Sequence, residues 1–228
     1  MGARVPIELG EWYHCHSRGV DKRRIFTNAR EYDRFVLQML VANGTKPVHL
    51  SNLKCDKLAD ALGLKVLDRG ESIVEIGAWS LMPNHFHLLL KEVTEGGIAR
   101  FMQKLTTGYT MYFNKKYSRS GSLLGGTFKS HHIYDDQYFK QVISYIHLNP
   151  VELVEPLWKE GAGLIVKIEK FLQGYRYSSL NSFESNSVPE RVLLGASVFE
   201  LYDTLPSTKQ MLEDAHAYYQ QSNIKVKP

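Results

Sequence analysis

The chain has 228 residues, 43% hydrophobic and 23% charged, with a net charge of +4, which is ordinary for a globular protein with one sizeable core. No apolar run approaches the ~18 residues that span a bilayer, and the N-terminus carries no apolar signal segment, so we expect neither a membrane span nor secretion. The two cysteines lack CxxC spacing, which argues against a disulfide framework or a cysteine zinc site and favours a reducing cytosol.

The first part of the chain predicts a strand followed by a helix. Glu11 to Ser17 is short, rich in aromatic residues and alternating, which is typical of a strand. Asn28 to Asn43 predicts a helix, because its apolar residues recur at helical spacing behind a possible asparagine cap. The segment 44–70 follows as an insertion with a short helix around Leu53 to Leu62, and it has no assigned role.

Two strands and a long helix come next. Ser72 to Met82 and His85 to Glu92 are apolar runs separated by the Pro83-Asn84 break, and they predict neighbouring strands. Gly97 to Lys116 predicts a long helix, whose apolar stripe recurs at steps of three and four residues. We interpret that stripe as core rather than as a platform for stacking bases.

A further strand and helix complete the order strand–helix–strand–strand–helix–strand–helix. Thr127 to Tyr134 predicts the strand, and the helix begins at Asp135 or Asp136 and closes before Pro150. This order predicts an α+β fold of the ferredoxin-like (RRM-like) type, an antiparallel sheet with helices on one face. We expect this domain to cover residues 1–185 and a helical C-terminal tail to cover residues 186–228.

Positive charge is concentrated in two segments of the chain. No acidic residue lies between Gly96 and Tyr134, although this segment contains six lysines and arginines. A second basic cluster runs from Arg18 to Arg24, directly after the first strand. A single cluster of this kind is usually a solvated surface, but two clusters beside candidate chemistry favour a phosphate-bearing partner.

His85 and His87 stand at the head of an apolar strand, which is an unusual place for two imidazoles. Side chains two apart on a strand point to the same face, so these two neutral rings can offer lone pairs to one metal ion. With nine histidines in the chain such pairs also arise by chance, and a second pair, His14 and His16, is present. Taken alone, either pair is more often packing or surface than a metal site.

Tyr145 and Asn149 are four residues apart on the last predicted helix and therefore share a face. A phenol can attack phosphorus, but its pKa near 10 makes it a weak nucleophile without a nearby cation or base. An amide oxygen on the next turn could help to hold such a cation. The alternative is a half-buried tyrosine with the asparagine as a helix cap, and the helix alone favours that alternative.

Three sequence motifs, taken together, favour a catalytic role for these residues over packing or capping. In chain order, "LMPNHFHLLL", "YTMYFNKKYSRSGSLLGGTFKS" and "YIHLNPV" resemble the single-tyrosine HUH transposases, most closely the REP-associated tyrosine transposases. The similarity runs from about Trp12 to Ser179 and includes the opening "YHCHSRGVDKRRIF" and the late "YRYSSL". The strings are long, collinear and correctly spaced.

The resemblance implies a ferredoxin-like domain that nicks and rejoins single-stranded DNA through a covalent 5′-phosphotyrosine. The residues that match the family's motifs are His85 and His87 as metal ligands, Asn149 as the third ligand and Tyr145 as the nucleophile. The implied cofactor is a divalent metal, and mixed nitrogen and oxygen ligands suit Mg²⁺ or Mn²⁺. His14 and His16 match no ligand pair of the family and are interpreted as packing.

The resemblance also implies single-stranded or hairpin DNA as the partner of a monomer or homodimer in the cytoplasm, at the nucleoid and not at a membrane. The basic segments then become candidate DNA contacts, which would make binding salt-dependent. The candidates are Arg18, Arg23, Arg24, Lys104, Lys115, Lys116, Arg119 and Lys129.

Two positions depart from the pattern common among these relatives. Many relatives have a basic residue after the glycines of "GGTFKS", where this chain has Thr127. After "NPV" they commonly read Arg-Ala-Gly, where this chain reads Glu152-Leu153-Val154. Both departures remove positive charge near the proposed site, so they bear on DNA affinity or site preference more than on the cleavage chemistry.

Two other functions stay open on the sequence. One is a non-catalytic protein that binds single-stranded nucleic acid, a domesticated transposase, because this type of sheet also serves RNA recognition, although no stretch resembles RNP1. The other is a zinc hydrolase that combines the histidine pair with His147 or His131. His147 lies about 200° round the helix from Tyr145, which makes a site shared with Tyr145 awkward.

Overall fold

The computed structural model describes residues 6–53, 55, 57–64, 67–160, 165–202 and 204–225, and a four-stranded antiparallel sheet forms its centre. The strands are β1 (Trp12–Arg18), β2 (Val74–Met82), β3 (His85–Glu92) and β4 (Lys129–Ile133). Their order across the sheet is β2-β3-β1-β4, and every neighbouring pair is antiparallel. The predicted α+β fold with an antiparallel sheet is therefore confirmed.

Nine α-helices are present in the described part of the chain. They are α1 (Ala29–Ala42), α2 (Leu50–Leu53), α3 (Leu58–Leu62), α4 (Gly97–Lys116), α5 (Asp136–Leu148), α6 (Ile165–Gly174), α7 (Leu180–Glu184), α8 (Ser197–Glu200) and α9 (Thr208–Lys225). Short 3₁₀ helices lie at Val20–Lys22, Asn149–Leu153, Trp158–Glu160 and Pro189–Leu193. None of the described helices is long and apolar enough to cross a membrane.

One face of the sheet is covered by α1 and α4. The strand side chains that project to this face include Cys15 on β1 and Phe86 on β3. They are buried in the same apolar cluster as Phe35 of α1 and Phe101 of α4. The apolar stripe of α4 lies in this cluster, so its interpretation as core agrees with the structure.

The other face of the sheet is partly covered by α5, which adds a layer to the expected arrangement of helices on one face. Trp12 and Leu89 project to this side and pack against Phe139 and Ile143 of α5. The helix begins as predicted at Asp135 and Asp136, and the Asp135 side chain accepts a hydrogen bond of 2.6 Å from the backbone N–H of Tyr138. The apolar half of this sheet face must be shielded from water, and α5 packs over it.

Ser179, just before α7, joins α5 to the sheet. Its hydroxyl accepts a hydrogen bond of 2.9 Å from the backbone N–H of Trp79 on β2 and lies 2.8 Å from Nε2 of His147 on α5. A further apolar cluster, which includes Leu148, Trp158 and Leu212, connects the end of α5 with α9. The expected division into residues 1–185 and 186–228 stays a prediction.

The insertion at 44–70 is held at its base by Asn43, the residue after α1. Its Oδ1 accepts hydrogen bonds of 3.0 Å from the backbone N–H groups of Ile73 and Val74, and its Nδ2 donates a 3.0 Å bond to the carbonyl of Val74. In place of the single short helix expected around Leu53 to Leu62, the described residues form the two short helices α2 and α3. Residues 54, 56, 65 and 66 lie outside the described part of the chain.

Candidate active site

The register of β1 against β3 brings the histidines of both strands together on the face that α5 partly covers. His16 pairs with His87, and Arg18 pairs with His85. Because paired residues in an antiparallel sheet project to the same side, all four side chains share this face with His14. The ring of His14 lies 5.0 Å from that of His87, and the ring of His16 lies 5.4 Å from it.

His85 and His87 stand next to each other with their rings 5.1 Å apart and nearly perpendicular. Both side chains are buried, and each has its Nδ1 in a hydrogen bond. Nδ1 of His85 lies 2.6 Å from Oδ1 of Asn84, and Nδ1 of His87 lies 2.8 Å from Nε2 of His14. In both rings it is therefore Nε2 that is left to face a ligand.

Burial keeps these imidazoles neutral at pH 7. It lowers the pKa of His85 to about 4, with a further contribution from the charge of Arg18, and it lowers the pKa of His87 well below its usual value. Neutral imidazoles carry the lone pair that a metal ion requires. The pair is thus in the protonation state of a ligand without any change of pH.

Tyr145 and Asn149 reach the same place from α5 and from the 3₁₀ helix that continues it. The ring of Tyr145 lies 5.4 Å from that of His87, nearly perpendicular to it. Oδ1 of Asn149 lies 3.2 Å from Nε2 of His85. The structure therefore brings together all four residues that the sequence named for the chemistry, from a strand and from one turn of a helix.

The contact between His85 and Asn149 is a test of whether these residues fit a metal ion. Nδ2 of Asn84 donates to the carbonyl of Lys22, so the amide presents its oxygen to His85, which must donate from Nδ1. Nε2 of His85 then carries a lone pair and faces another acceptor, Oδ1 of Asn149. Two acceptors that face each other call for a cation between them, and ligands at ~2.1 Å from one octahedral ion are about 3 Å apart.

The alternative zinc site is not assembled. Among the residues that the structure describes, no group of three or more His, Cys, Asp or Glu side chains is placed to hold a metal ion. His147 is fully buried against Ser179, and His131 stacks on His16 with ring centres 5.6 Å apart. The donor set that the geometry offers is two imidazole nitrogens and the amide oxygen of Asn149.

The surroundings of Tyr145 set the charge that its hydroxyl experiences. Burial raises the pKa of Tyr145, while the positive charge of Lys159 opposes that rise and the carboxylate of Glu152 adds to it. Nζ of Lys159 lies 5.8 Å from the centre of the Tyr145 ring and 2.5 Å from Oε1 of Glu152. Lys159 therefore offsets the negative charge that Glu152 introduces where many relatives have arginine.

The predicted DNA-contacting residues divide into three groups. Arg18 and Lys129 are exposed and lie on the histidine face, opposite His85 and His16 respectively. On α4, Lys104 donates to the carbonyl of Gly44, and Lys116 pairs with the buried carboxylate of Glu31. These two lysines have structural partners on the far side of the sheet from the histidines.

The other four candidates lie outside the histidine row. Arg23 donates from Nε to the carbonyl of Val20, and Arg119 donates to Oδ1 of Asn114. Arg24 and Lys115 are exposed.

A known protein family matches the segment of the chain that contains the candidate site. Residues 67–151 match the family model described as transposase, IS200 like, and this segment contains His85, His87, Tyr145 and Asn149. This segment, which makes up less than half of the chain, is similar to the IS200-like transposases. The resemblance seen in the sequence is confirmed at this level, as is the expectation of an enzyme.

The structure of this chain is similar to that of a REP-associated tyrosine transposase bound to a REP hairpin. The two chains are 14% identical, the TM-score is 0.50, and the similarity covers 91% of this chain and 99% of the other. At this identity the similarity shows a shared fold. None of the curated proteins compared with this chain matches it.

Sequence reasoning missed two groups in this candidate site. Lys159 lies in a short 3₁₀ helix after Glu152, and no motif or periodicity marks it. His14 was assigned to packing, although its two-residue spacing from His16 already placed both rings on one face. Only the pairing of β1 with β3 brings His14 to Nδ1 of His87.

Proposed function

We propose that this protein is an IS200-like transposase that nicks and rejoins single-stranded DNA beside a hairpin, using Tyr145 as the nucleophile and a divalent metal held by His85, His87 and Asn149. The observation that carries the proposal is the convergence of these side chains. The ring of Tyr145 is 5.4 Å from that of His87, and Asn149 is 3.2 Å from Nε2 of His85. When bound, Mg²⁺ or Mn²⁺ would polarise the scissile phosphate and offset the charge on its oxygens.

The residues of the chain supply the rest of the chemistry. The phenolic oxygen of Tyr145 attacks phosphorus in line, the bond from phosphorus to the 3′-oxygen breaks, and a 5′-phosphotyrosine forms. The phenol loses its proton and the departing 3′-oxygen gains one, so charge is balanced. The positive charge of Lys159 stabilises negative charge as it develops on the phenolic oxygen.

The covalent step also accounts for rejoining. The phosphotyrosine bond retains the energy of the phosphodiester, so a second 3′-hydroxyl can displace Tyr145 without ATP. In agreement with this, the sequence has no GxxxxGK[ST] motif for a nucleotide triphosphate. Tyr145 therefore serves in cleavage as the attacking group and in joining as the leaving group.

Hairpin DNA is the proposed partner because two observations agree. The structural relative is bound to a REP hairpin, although at 14% identity this relation alone shows only the fold. Arg18 and Lys129 add positive charge on the face that holds Tyr145 and the histidines. A phosphate backbone that crosses this face would meet both cations on its way to the nucleophile.

The test is a search for protein attached to DNA. The protein is incubated with Mn²⁺ and a hairpin oligonucleotide with single-stranded flanks, taken from repeat DNA beside the gene, and the product is examined by denaturing gel and mass spectrometry. We expect the unmodified protein to carry the 5′ fragment on Tyr145. Tyr145→Phe should form no adduct and bind the oligonucleotide nearly as tightly as before.

Tyr138→Phe is the matched control, because Tyr138 lies in the first turn of the same helix and packs against the apolar cluster that includes Trp12. It should form the adduct like the unmodified protein. An adduct with Tyr145→Phe would contradict the assignment of the nucleophile. Tight binding by the unmodified protein without bound metal and without any adduct would instead indicate the non-catalytic alternative.

A further inference from the structure

His14 is a buried polar group to which the proposed function gives no role. It lies on β1, is 8% exposed, and places its Nε2 2.8 Å from Nδ1 of His87. His16, two residues further along the same strand, also contacts His87, but through ring stacking at 5.4 Å. The two histidines of this pair therefore meet the same neighbour in different ways.

The hydrogen bond between His14 and His87 has two possible directions. A neutral imidazole has one N–H and one lone pair, so one ring must donate and the other must accept. If His14 donates, the proton of His87 sits on Nε2, and that nitrogen cannot bind a metal. If His87 donates from Nδ1, its Nε2 keeps the lone pair that points away from His14.

The neighbouring ligand shows the second arrangement. Nδ1 of His85 faces the oxygen of Asn84, which can only accept, so His85 donates from Nδ1 and keeps its lone pair on Nε2. Asn84 thus determines the tautomer of His85. His14 occupies the equivalent place beside His87, as the acceptor behind the ring.

We propose that His14 is a positioning residue, which accepts the hydrogen bond from Nδ1 of His87, fixes the orientation of that ring and reserves Nε2 of His87 for the metal ion. The inference rests on the metal centre proposed above. Groups that hold a metal-binding histidine from behind are commonly carboxylates or carbonyls, and their loss costs 10–100-fold in metal affinity. Here the group that holds the metal-binding histidine is an imidazole on the neighbouring strand β1.

Metal binding without DNA tests this role directly. We measure the dissociation constant of Mn²⁺ by calorimetry and by the loss of the free-ion electron paramagnetic resonance signal. His14→Leu fills the site but cannot accept a hydrogen bond, so it should weaken Mn²⁺ binding about 10–100-fold. His14→Gln places an amide oxygen near the position of Nε2, and it should stay within a few-fold of the unmodified protein.

Two further variants separate the hydrogen bond from polarity and from the histidine cluster as a whole. His14→Asn is polar, but its amide is too short to reach His87, so it should bind Mn²⁺ as weakly as His14→Leu. His131→Ala removes an imidazole from the same face, where it stacks on His16, and should leave the affinity unchanged. Thermal unfolding with EDTA checks that each variant is folded.

The tautomer is also measurable in the unmodified protein, so the inference does not depend on any variant folding. In ¹⁵N NMR spectra of the metal-free protein in EDTA, His87 should already carry its proton on Nδ1, and a proton on Nε2 would overturn the inference. Equal Mn²⁺ affinity in His14→Leu and the unmodified protein would overturn it as well while leaving the metal centre in place. Failure of the unmodified protein to bind Mn²⁺ would instead remove the metal centre, and the inference with it.

Discussion

The ammonium group of Lys159 lies 5.8 Å from the centre of the Tyr145 ring and forms an ion pair of 2.5 Å with Glu152. The three side chains come from α5 and from the two 3₁₀ helices that follow it. The proposed nucleophile, Tyr145, thus lies near the positive charge of Lys159 and the negative charge of Glu152, whose effects on it are opposite. Their balance gives a direct way to change the reactivity of Tyr145.

Removing the positive charge should slow formation of the covalent adduct. Lys159→Met removes the largest contribution that offsets burial and the charge of Glu152, so negative charge on the phenolic oxygen becomes less favourable. Since the ammonium is partly exposed, we expect a modest effect, about two- to fivefold in the single-turnover rate. Glu152→Gln should change the rate by a similar factor in the opposite direction.

Lys140→Met is the control for this pair of variants. Lys140 lies on α5 and also stands over a tyrosine, 5.4 Å from the ring centre of Tyr202, but not over Tyr145. It should leave the rate unchanged. Equal rates in Lys159→Met and Glu152→Gln would show that these charges do not act on Tyr145.

The position of each lysine relative to the histidine face predicts its role in DNA binding. Lys129→Gln and Arg18→Gln should each weaken binding of the oligonucleotide and lower the slope of log affinity against log salt by about one. Lys116→Gln should leave that slope unchanged, because Lys116 is paired with Glu31 on the other side of the sheet. Fluorescence anisotropy at several salt concentrations measures these slopes.

Lys116 should instead contribute to stability. Its partner Glu31 is fully buried and also accepts hydrogen bonds from Tyr117 and from Thr27. Loss of one charged donor to a buried carboxylate costs about 1–3 kcal/mol, which denaturant unfolding of Lys116→Gln can detect. A lower salt slope with unchanged stability would show that Lys116 contacts DNA after all.

Buried histidines should make the metal-free protein sensitive to acid. Burial lowers the pKa of His14 and His147 to about 3 and that of His85 to about 4, whereas in the unfolded chain the pKa is near 6.5. Below pH 6.5 the unfolded chain therefore binds protons that the folded protein does not, and stability falls with pH until about pH 4. At pH 5.5 these three groups together should lower the free energy of unfolding by about 4 kcal/mol.

Urea unfolding at pH 7.5 and pH 5.5 in EDTA measures this loss. His147→Gln removes one of these groups, the one that is hydrogen-bonded to Ser179. In that variant the loss between the two pH values should shrink by about 1.4 kcal/mol, the contribution of one such group. A loss of the same size in His147→Gln would show that His147 takes up its proton normally in the folded protein.

Asn43 should be important for stability because its side chain joins the end of α1 to the start of β2. It makes three hydrogen bonds of 3.0 Å and is buried. Asn43→Ala leaves two backbone N–H groups without their acceptor, which we expect to cost about 2–4 kcal/mol in denaturant unfolding. Asn186→Ala, at an exposed turn, should stay within about 0.5 kcal/mol of the unmodified protein.

The sequence predicted the bounds of helices and strands well where they depend on a pattern of apolar residues within a short stretch of chain. The bounds predicted for β3 and α4, His85 to Glu92 and Gly97 to Lys116, are those of the structure, because alternation and helical spacing are read within a few residues. The side of the sheet that α5 occupies could not be read in this way. It depends on which face α1 and α4 leave open, and that is decided by contacts distant in the sequence.

The same distinction applies to the candidate site. Spacing placed His85 beside His87 and Asn149 on the side of Tyr145, and resemblance joined the two pairs. The proximity of His14 to His87 depends on the register of β1 with β3, which no short stretch of sequence specifies. Likewise, the ion pair that engages Lys116 arises from the packing of α1 on α4, so its charge alone suggested a DNA contact.

Ser179 has a practical consequence for anyone who shortens this protein. The segment that matches the family model ends at residue 151, so it includes every proposed ligand and the nucleophile but not the serine that links His147 to β2. A fragment trimmed to that boundary would keep the proposed ligands and Tyr145 but would lose both Lys159 and the serine that anchors the helix of Tyr145 to the sheet. Shortened versions should therefore extend at least through α7.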